Sequence, residues 1–324
     1  MTTQGPDAPF ALARFRDGEG TVLGLVAGDR IRALGPDDLG AADLNSFLAT
    51  GEWGRLARLV DVDGPWRPLA DVTLTAPVEP RQVLQAGANY RTHVIQLAIA
   101  GMTRRDSGLS EEEARARAER AMDARAASGR AYVFIGMPAC VVGDDEPLVL
   151  PAGSEQHDWE LELAAVIGSR AFRVTPEEAP AHIAGYTIVN DITTRDLAFP
   201  ADIGGLGADW FRSKNSPGFL PTGPFLVPAG FVEPSDLRVR LDLNDRTMQD
   251  ATTAELVHDV AHIVSTASHT LPLLPGDLIL TGSPAGNGQH WGRFLQDGDV
   301  LTGSITHLGT QVVRCVADTG DPAA

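Results

Sequence analysis

Short apolar runs separated by polar, glycine-containing turns recur along the chain, and this pattern predicts a protein built mostly from β-strands. Near the start, FALARF and TVLGLVAGDRIRAL read as short strands joined by Asp-Gly and Gly-Asp turns. A helical stretch is predicted over residues 43–60, and Pro77 then marks a boundary. We therefore predict a small N-terminal β-rich domain over residues 1–76 and a larger main domain over residues 77–324.

One strand pattern in the larger unit carries two acidic residues. Residues 159–168 are rich in Leu, Ala, Val and Ile and end in glycine, and they contain Glu160 and Glu162. Side chains two apart on a strand point to the same face. Two such glutamates can form the solvated face of an edge strand, but the continuous apolar run predicts a strand buried on both faces. Carboxylates on a buried strand need a charged or hydrogen-bonding partner.

A third carboxylate follows a second strand pattern. Asp191 comes directly after residues 186–190, which follow a predicted helix over residues 176–182. If the two strands are neighbours, Glu160, Glu162 and Asp191 converge, and a cation must neutralise them. Ligation by oxygen alone favours a hard ion, so we predict Mg²⁺, with Mn²⁺ or Ca²⁺ as alternatives.

A long polar helix is predicted before these strands, in SGLSEEEARARAERAMDARAASGR. Ser110 and Glu113 form a capping box at its start, and Gly129 ends it. Because the helix is polar on nearly every face, a solvated surface helix is the first interpretation. The alternative is a mobile lid over the site, spanning about residues 94–132.

Charge and composition narrow the class of protein. The 324 residues carry a net charge of −17, which disfavours nucleic acid or an anionic membrane as a partner. The two cysteines lie far apart and predict no disulfide framework, and the first residues lack a signal-peptide pattern. No apolar run approaches the length of a membrane span. We predict a cytoplasmic protein that acts on a small molecule.

Lys214 is the only lysine in the chain, and arginine supplies all the other basic side chains except histidine. A lysine retained against this bias can mark a position where a compact ammonium is needed and a planar guanidinium does not fit. Chance survival at a surface position is the alternative. The surrounding sequence, RSKNSPGFLPTGPFLVP, is a Pro- and Gly-rich loop that leads into a strand. Such loops often carry functional residues.

Two histidines resemble a zinc motif by their spacing alone. His258 and His262 are four residues apart, but Asp259 stands where the motif has its glutamate, and no third ligand is evident. The surrounding apolar pattern predicts an amphipathic helix packed on a sheet. We therefore do not assign a zinc site there.

Five segments together resemble the fumarylacetoacetate hydrolase family, over about residues 85–316. In chain order they are GANYRTHV, HDWELELAAVIG, NDITTRDL, the loop around Lys214, and GDLILTGSPAGNG. The resemblance implies an α+β, mostly β fold, with a mixed β-roll or β-sandwich catalytic domain of the family type. It also implies a homodimer.

The resemblance further implies roles for individual residues. Glu160, Glu162 and Asp191 would bind the metal, His93 would act as general base, and Lys214 would hold a developing oxyanion. Asn89, Tyr90, Gly282 and Ser283 would contact the substrate. The chain departs from the family pattern at Gln96, where hydrolytic members often carry a glutamate that orients the histidine, and at Ala198, near which they often carry a glutamine.

These residues favour, first, a divalent-metal-dependent hydrolase that cleaves a C–C bond in an acylpyruvate or a related 1,3-dicarbonyl or 2-oxo acid. Gln96 can hold an imidazole tautomer but cannot stabilise imidazolium as a carboxylate does. The departure at this position raises the weight of a decarboxylase, isomerase or hydratase of a 2-oxo or 2-hydroxydienoic acid. A relative that binds metal and ligand without catalysis is the third hypothesis.

Overall fold

The computed structural model describes residues 4–105, 109–203 and 207–320, and within them strands predominate. The strands are β1 Ala11–Asp17, β2 Gly20–Ala27, β3 Arg30–Ala33, β4 Arg67–Pro68, β5 Leu74–Thr75, β6 Val83–Ala86, β7 Val133–Gly136, β8 Val141–Val142, β9 Leu148–Leu150, β10 His157–Asp158, β11 Leu161–Ile167, β12 Ile183–Asn190, β13 Thr193–Thr194, β14 Leu220–Pro221, β15 Phe225–Pro228, β16 Arg238–Leu243, β17 Arg246–Thr252, β18 Leu278–Leu280, β19 Val300–Ile305 and β20 Gly309–Ala317. The predicted mixed, mostly β fold is confirmed.

The helices lie between these strands and are mostly short. They are α1 Pro36–Leu39, α2 Leu44–Thr50, α3 Trp53–Ala57, α4 Arg91–Arg105, α5 Glu111–Ala127, α6 Arg195–Ala198, α7 Trp210–Lys214, α8 Val260–Thr270 and α9 Gly288–Trp291. Short 3₁₀ turns add Leu69–Asp71, Pro138–Cys140, Ala179–His182, Ala201–Ile203, Ala229–Phe231 and Thr253–Glu255. Within the described ranges, none of the helices combines the length and the apolar character that spanning a bilayer demands.

One large sheet runs through the molecule in the order β4-β3-β2-β1-β15-β12-β11-β18-β6-β7, with β5 paired to β1. The N-terminal strands join this sheet because β1 pairs with β15, placing Leu12 opposite Leu226. A second sheet has the order β17-β16-β19-β20-β9. The division at residue 76 stays a prediction, but the strands on its two sides hydrogen-bond to each other.

Strand β11 lies in the interior of the large sheet, between β12 and β18, and all seven of its residues are buried. Leu161 packs in the same apolar cluster as Val239 and Leu301 of the second sheet. Ala164, on the opposite face, packs in a cluster that includes N-terminal residues. The strand is therefore buried on both faces, as its apolar run predicts.

The predicted polar helix is α5, and it forms a helical hairpin with α4. Ser110 accepts a hydrogen bond from the Glu113 amide and completes the predicted capping box. Ala118 and Met122 are buried against Ile95 of α4. The helix is therefore solvated on its charged faces only, because alanine and methionine side chains supply the packing face.

The sequence around His258 forms α8, as the apolar pattern predicts, but the helix begins only after that residue. Asp259 caps the helix by accepting a hydrogen bond from the His262 amide. His258 precedes the cap and is buried, whereas His262 is in the first turn. The two histidines therefore do not share a helical face.

Candidate active site

Three carboxylates converge where two adjacent strands of the large sheet meet. Glu160, Glu162 and Asp191, here called the carboxylate triad, each offer an oxygen within 4.8 Å of the others. Strands β11 and β12 pair antiparallel, so the start of one lies beside the end of the other. The Asp191 amide donates a hydrogen bond of 2.9 Å to the Glu160 carbonyl and extends this pairing past the strand ends. The convergence predicted from the two strand patterns is present.

Glu162 is fixed by the backbone of the TGSP turn. The Gly282 amide donates a hydrogen bond of 2.7 Å to Glu162 Oε2. Gly282 has a φ of +96°, and a Cβ at this position would lie 2.9 Å from the Asn89 Cβ. Glycine is required there both by the backbone conformation and by the close approach of Asn89.

Lys214 completes the polar centre from the end of α7. Its buried ammonium donates hydrogen bonds to Asp191 Oδ2 and, at 2.7 Å, to Thr193 Oγ1. Glu160 Oε1 lies 3.6 Å from the same Nζ. Burial alone would lower the pKa of Lys214, but Asp191 and Glu160 outweigh it and raise the pKa. The lysine is therefore held in its charged form, with one N–H beyond the two that it gives to protein oxygens.

Arg195 forms ion pairs with Glu160 of the triad and with Asp158. Arg195 Nε donates a hydrogen bond of 2.7 Å to Asp158 Oδ2, and Arg195 Nη2 lies 2.7 Å from Glu160 Oε1. Asp158 is fully buried and also accepts a hydrogen bond of 3.1 Å from the Gln289 amide. Asp158 was not predicted as a site residue from the sequence. It lies two residues before Glu160, which is the same spacing that relates Glu160 to Glu162.

The side chains around the triad carry a net negative charge that a divalent cation would neutralise. Four carboxylates, those of the triad and Asp158, face two cationic side chains, Lys214 and Arg195, which leaves two negative charges. Asp191 Oδ1 is buried and has no hydrogen-bond partner among the described residues. Carboxylate oxygens are the ligands that hard cations prefer. The donor set therefore fits a divalent metal ion.

The pKa values of the triad report the same excess of negative charge. Burial, followed by the charges of Asp191 and Glu160, raises the pKa of Glu162 well above its ordinary value. Burial, followed by the charge of Glu160, raises the pKa of Asp191 to about 6 despite Lys214. Glu160 differs because Lys214 and Arg195 overcome its burial and lower its pKa to about 2.

His93 lies in the first turn of α4, near enough to Glu160 for the charge of that carboxylate to act on its pKa. Burial lowers its pKa to about 4, and the charge of Glu160 opposes this effect. The imidazole is therefore neutral near pH 7. Gln96 lies one turn further along α4 with an exposed side chain, and in the described part of the chain it makes no hydrogen bond to His93.

Asn89 has a structural contact for each side-chain atom that can hydrogen-bond. Its Nδ2 donates to the carbonyl oxygens of His258 and Thr281, both at 2.8 Å, and its Oδ1 accepts from the His258 amide at 2.9 Å. These bonds join the GANY loop to the loops before α8 and after β18. The predicted contact of Asn89 with substrate stays a prediction, and the structure gives its amide another use.

Tyr90 lies near Glu162, and Ser283 follows Gly282, whose amide bonds that carboxylate. The Tyr90 hydroxyl is buried without a partner among the described residues, and burial, followed by Glu162, raises its pKa. Ser283 Oγ accepts a hydrogen bond of 2.8 Å from Gln249 Nε2, and Gln249 Oε1 accepts one from the Leu161 amide at 3.1 Å. Gln249 was not predicted as a site residue, because no motif surrounds it in the sequence. The Gly282 amide is engaged with Glu162, so its predicted contact with substrate also stays a prediction.

A comparison with models of protein families identifies the family of this chain. Residues 82–316 match the family model described as fumarylacetoacetate (FAA) hydrolase C-terminal. The chain belongs to the fumarylacetoacetate hydrolase family. Enzymes of this family typically use a divalent metal, in agreement with the donor set of the triad.

Individual relatives of the family carry different activities in their names. The chain is 30% identical over 276 residues to oxaloacetate tautomerase FAHD2A, mitochondrial, from Bos taurus, which covers 83% of this chain and 78% of the relative. Among solved structures, a fumarylacetoacetate hydrolase from Exiguobacterium antarcticum aligns with a TM-score of 0.75 and 29% identity, covering 95% of this chain and all of the other. A 2-hydroxyhepta-2,4-diene-1,7-dioate isomerase from Mycobacterium marinum aligns with a TM-score of 0.70 and 28% identity, covering 96% and 99%. The family thus includes hydrolases, isomerases and tautomerases, and membership leaves the reaction open.

Proposed function

We propose that this protein is a divalent-metal-dependent enzyme that converts a 2-oxo acid, or a related 1,3-dicarbonyl acid, through its enolate. The observation that carries the proposal is the carboxylate triad with the buried, unpartnered Oδ1 of Asp191. Two neighbouring oxygens of a 2-oxo acid suit chelation by a hard cation. A bound Mg²⁺, with Mn²⁺ or Ca²⁺ as alternatives, would polarise the chelated carbonyl and stabilise negative charge on its oxygen.

Lys214 would supply a second positive charge to the same oxygen. Its ammonium is held by Asp191 and Thr193, and it lies in a buried site where electrostatic interactions are strong. A fixed cation of this kind needs little reorganisation when charge develops on the substrate. We therefore assign Lys214 to stabilising the enolate oxygen.

Keto–enol tautomerisation or isomerisation is the reaction that the site supports best. Water activation would leave a proton on His93, and the resulting imidazolium is stabilised when a carboxylate holds the other ring nitrogen. Gln96 is exposed and is not a carboxylate, and Glu160 is already paired with Arg195. Keto–enol tautomerisation requires no attack by water. The enol oxygen would give up one proton to solvent, Lys214 would hold the resulting enolate oxygen, and the carbon would take one proton from solvent.

Hydrolytic cleavage of a C–C bond in an acylpyruvate is the second candidate. His93 lies near enough to Glu160 for that carboxylate to act on its pKa, and its neutral imidazole would take a proton from the attacking water. Hydrolysis and tautomerisation share the enolate, so they differ in the use of water and not in the metal.

A substrate panel separates these candidates. Protein loaded with Mg²⁺ is assayed with the enol form of oxaloacetate, a 2-hydroxydienoate and an acylpyruvate, each with a matched EDTA-treated sample. We expect metal-dependent interconversion of the first two substrates. Release of pyruvate from the acylpyruvate as the main activity would favour hydrolysis. Retained metal binding without turnover of any of these substrates would contradict both and indicate a binding protein.

A further inference from the structure

A group of aromatic side chains lies beside the polar centre and takes no part in the chemistry described above. Four side chains, here called the aromatic shelf, contact one another in the order Tyr132, Phe134, Trp210 and Phe199. Phe134 stacks on Trp210, with ring centroids 5.2 Å apart and planes inclined by 26°. The ring centroids of Tyr132 and Phe134 are 6.0 Å apart, with planes inclined by 30°. Phe199 packs edge-on against Trp210, with ring centroids 5.8 Å apart.

The aromatic shelf is continuous with the proposed site. The Phe134 ring centroid lies 5.7 Å from Lys214 Nζ. Strand pairing places Ala164 beside Leu280, Leu280 beside Gln85, and Gln85 beside Phe134, so these residues share a sheet face. Glu162, two residues before Ala164, points to that same face. Trp210 begins α7, the helix that ends in Lys214.

The rings are held in place and still meet solvent, which distinguishes the shelf from a core cluster. Trp210 Nε1 donates a hydrogen bond of 2.7 Å to the Tyr132 hydroxyl. A Cβ on Gly87 would lie 2.7 Å from Tyr132 Cδ1, so glycine there makes room for the ring. Tyr132 is nevertheless 46% exposed and Phe199 72% exposed. Large aromatic surface left open beside a polar centre is typical of a ligand site.

The shelf offers apolar contact and no free cation on α7. Arg212, the charged residue next to the shelf on that helix, is paired with Asp209 at 2.7 Å and with Asp202 at 3.3 Å. A second carboxylate on the tail would find no unpaired cation on that helix. Nearly parallel rings favour a planar group, because aromatic faces stack on flat π-systems.

We propose that the aromatic shelf binds the tail of the substrate, and that the tail is an aryl or conjugated planar group. This inference rests on the proposed function, since the triad and Lys214 hold the 2-oxo acid end. Phe134 is the ring nearest the ammonium, so a planar group attached to the 2-oxo acid would contact it first. Trp210 would then extend the contact away from the polar end.

The inference is tested by equilibrium binding of three small acids to Mn²⁺-loaded protein. Benzoylformate is a 2-oxo acid with an aryl tail and no enolisable hydrogen, pyruvate has only a methyl group, and oxalate has no tail. We expect the wild-type protein to bind benzoylformate about tenfold tighter than pyruvate, which corresponds to about 1.4 kcal/mol. Trp210→Leu should bring this ratio close to one, and Phe134→Leu should do the same.

Phe211→Leu is the matched control. Phe211 follows Trp210 on the same helix and is 71% exposed, but it lies outside the shelf, so the ratio should stay near ten. A wild-type ratio near one, or an unchanged ratio in Trp210→Leu, would overturn the inference. A change in sedimenting mass in Trp210→Leu, with both ligands weakened equally, would also overturn it, because the shelf would then be covered by a second copy.

Oxalate separates the failure of this inference from the failure of the proposed function. If oxalate binds and the benzoylformate ratio is near one, only the tail assignment is wrong. If oxalate does not bind to the Mn²⁺-loaded protein, the chelating site itself is wrong and the tail assignment falls with it.

Discussion

Lys214 donates a hydrogen bond to one oxygen of Asp191, while the other oxygen of that carboxylate is buried without a partner among the described residues. The two oxygens therefore have different tasks. Oδ2 orients the ammonium, and Oδ1 is available to a cation. An oxygen in this position does not need a protein donor if a metal ion takes it.

Replacement of Lys214 is expected to affect turnover more than folding. Lys214→Met should lower kcat by about 100-fold, a usual loss for one oxyanion donor. Lys214→Arg should be nearly as impaired if geometry matters more than charge, because a planar guanidinium differs in shape from an ammonium. Steady-state kinetics with a thermal-unfolding check measure this effect. Unchanged kinetics in both variants would show that the lysine has no catalytic role.

Arg195 is expected to act as a positioning residue for Glu160. Arg195→Met leaves the buried Asp158 carboxylate without its cation, so we expect a loss of about 3 kcal/mol in unfolding free energy. The Kd for Mn²⁺ should rise about tenfold or more, since residues that orient metal ligands commonly contribute this much.

The control for this prediction is Arg238→Met. Arg238 pairs with Asp250, but both side chains are substantially exposed, so its loss should change stability far less than the loss of Arg195 does. Chemical denaturation and calorimetric Mn²⁺ titration measure both quantities. Equal effects of the two substitutions on Mn²⁺ affinity would count against the role assigned to Arg195.

His93 and Gln96 distinguish the two candidate reactions. If the enzyme is a hydrolase, His93→Ala should abolish turnover, and Gln96→Glu should raise it or shift its pH optimum by supplying a carboxylate to the imidazole. If it is a tautomerase or isomerase, His93→Ala should keep much of its rate. The pH–rate profiles of both variants and the wild type decide between these outcomes. Hydrolysis at the wild-type rate by His93→Ala would end the general-base assignment.

Two buried histidines outside the triad are expected to make the protein less stable in acid. Burial lowers the pKa of His157 and of His258 below their ordinary value. The unfolded chain takes up these protons at about pH 6.5, before the folded chain does, so unfolding becomes easier as pH falls below that value. His157→Gln should remove part of this dependence, whereas His307→Asn on the surface should not. Parallel curves for wild type and His157→Gln between pH 7 and 5 would contradict the assignment.

The sequence predicts the triad well because its geometry is mostly local. Glu160 and Glu162 share a face by strand periodicity, and Asp191 needs only one further condition, the pairing of two strands that are close in the chain. Helix α5 and its cap were likewise predictable from neighbouring residues. The same alternation also contains Asp158, so a third acidic side chain on this face could have been predicted from the sequence.

Contacts between distant segments could not be predicted in the same way. Gln249 reaches Ser283 and Leu161 from the second sheet, and no local pattern records this. The substrate contact of Asn89 stays a prediction, but the hydrogen bonds of its amide to two loops more than 160 positions later in the chain could not be predicted from the GANY string. Residues of this kind are defined by tertiary packing alone.

Titration of the metal-free protein with Mn²⁺ tests the central claim most directly. Isothermal calorimetry on wild type and on Glu162→Gln is compared after EDTA treatment and removal of the chelator. Gln keeps the oxygen that accepts the Gly282 hydrogen bond but removes the negative charge. We predict one ion bound per wild-type chain and no measurable binding in Glu162→Gln. Absence of binding in the wild type, or equal affinity in the variant, would contradict a metal centre at the carboxylate triad.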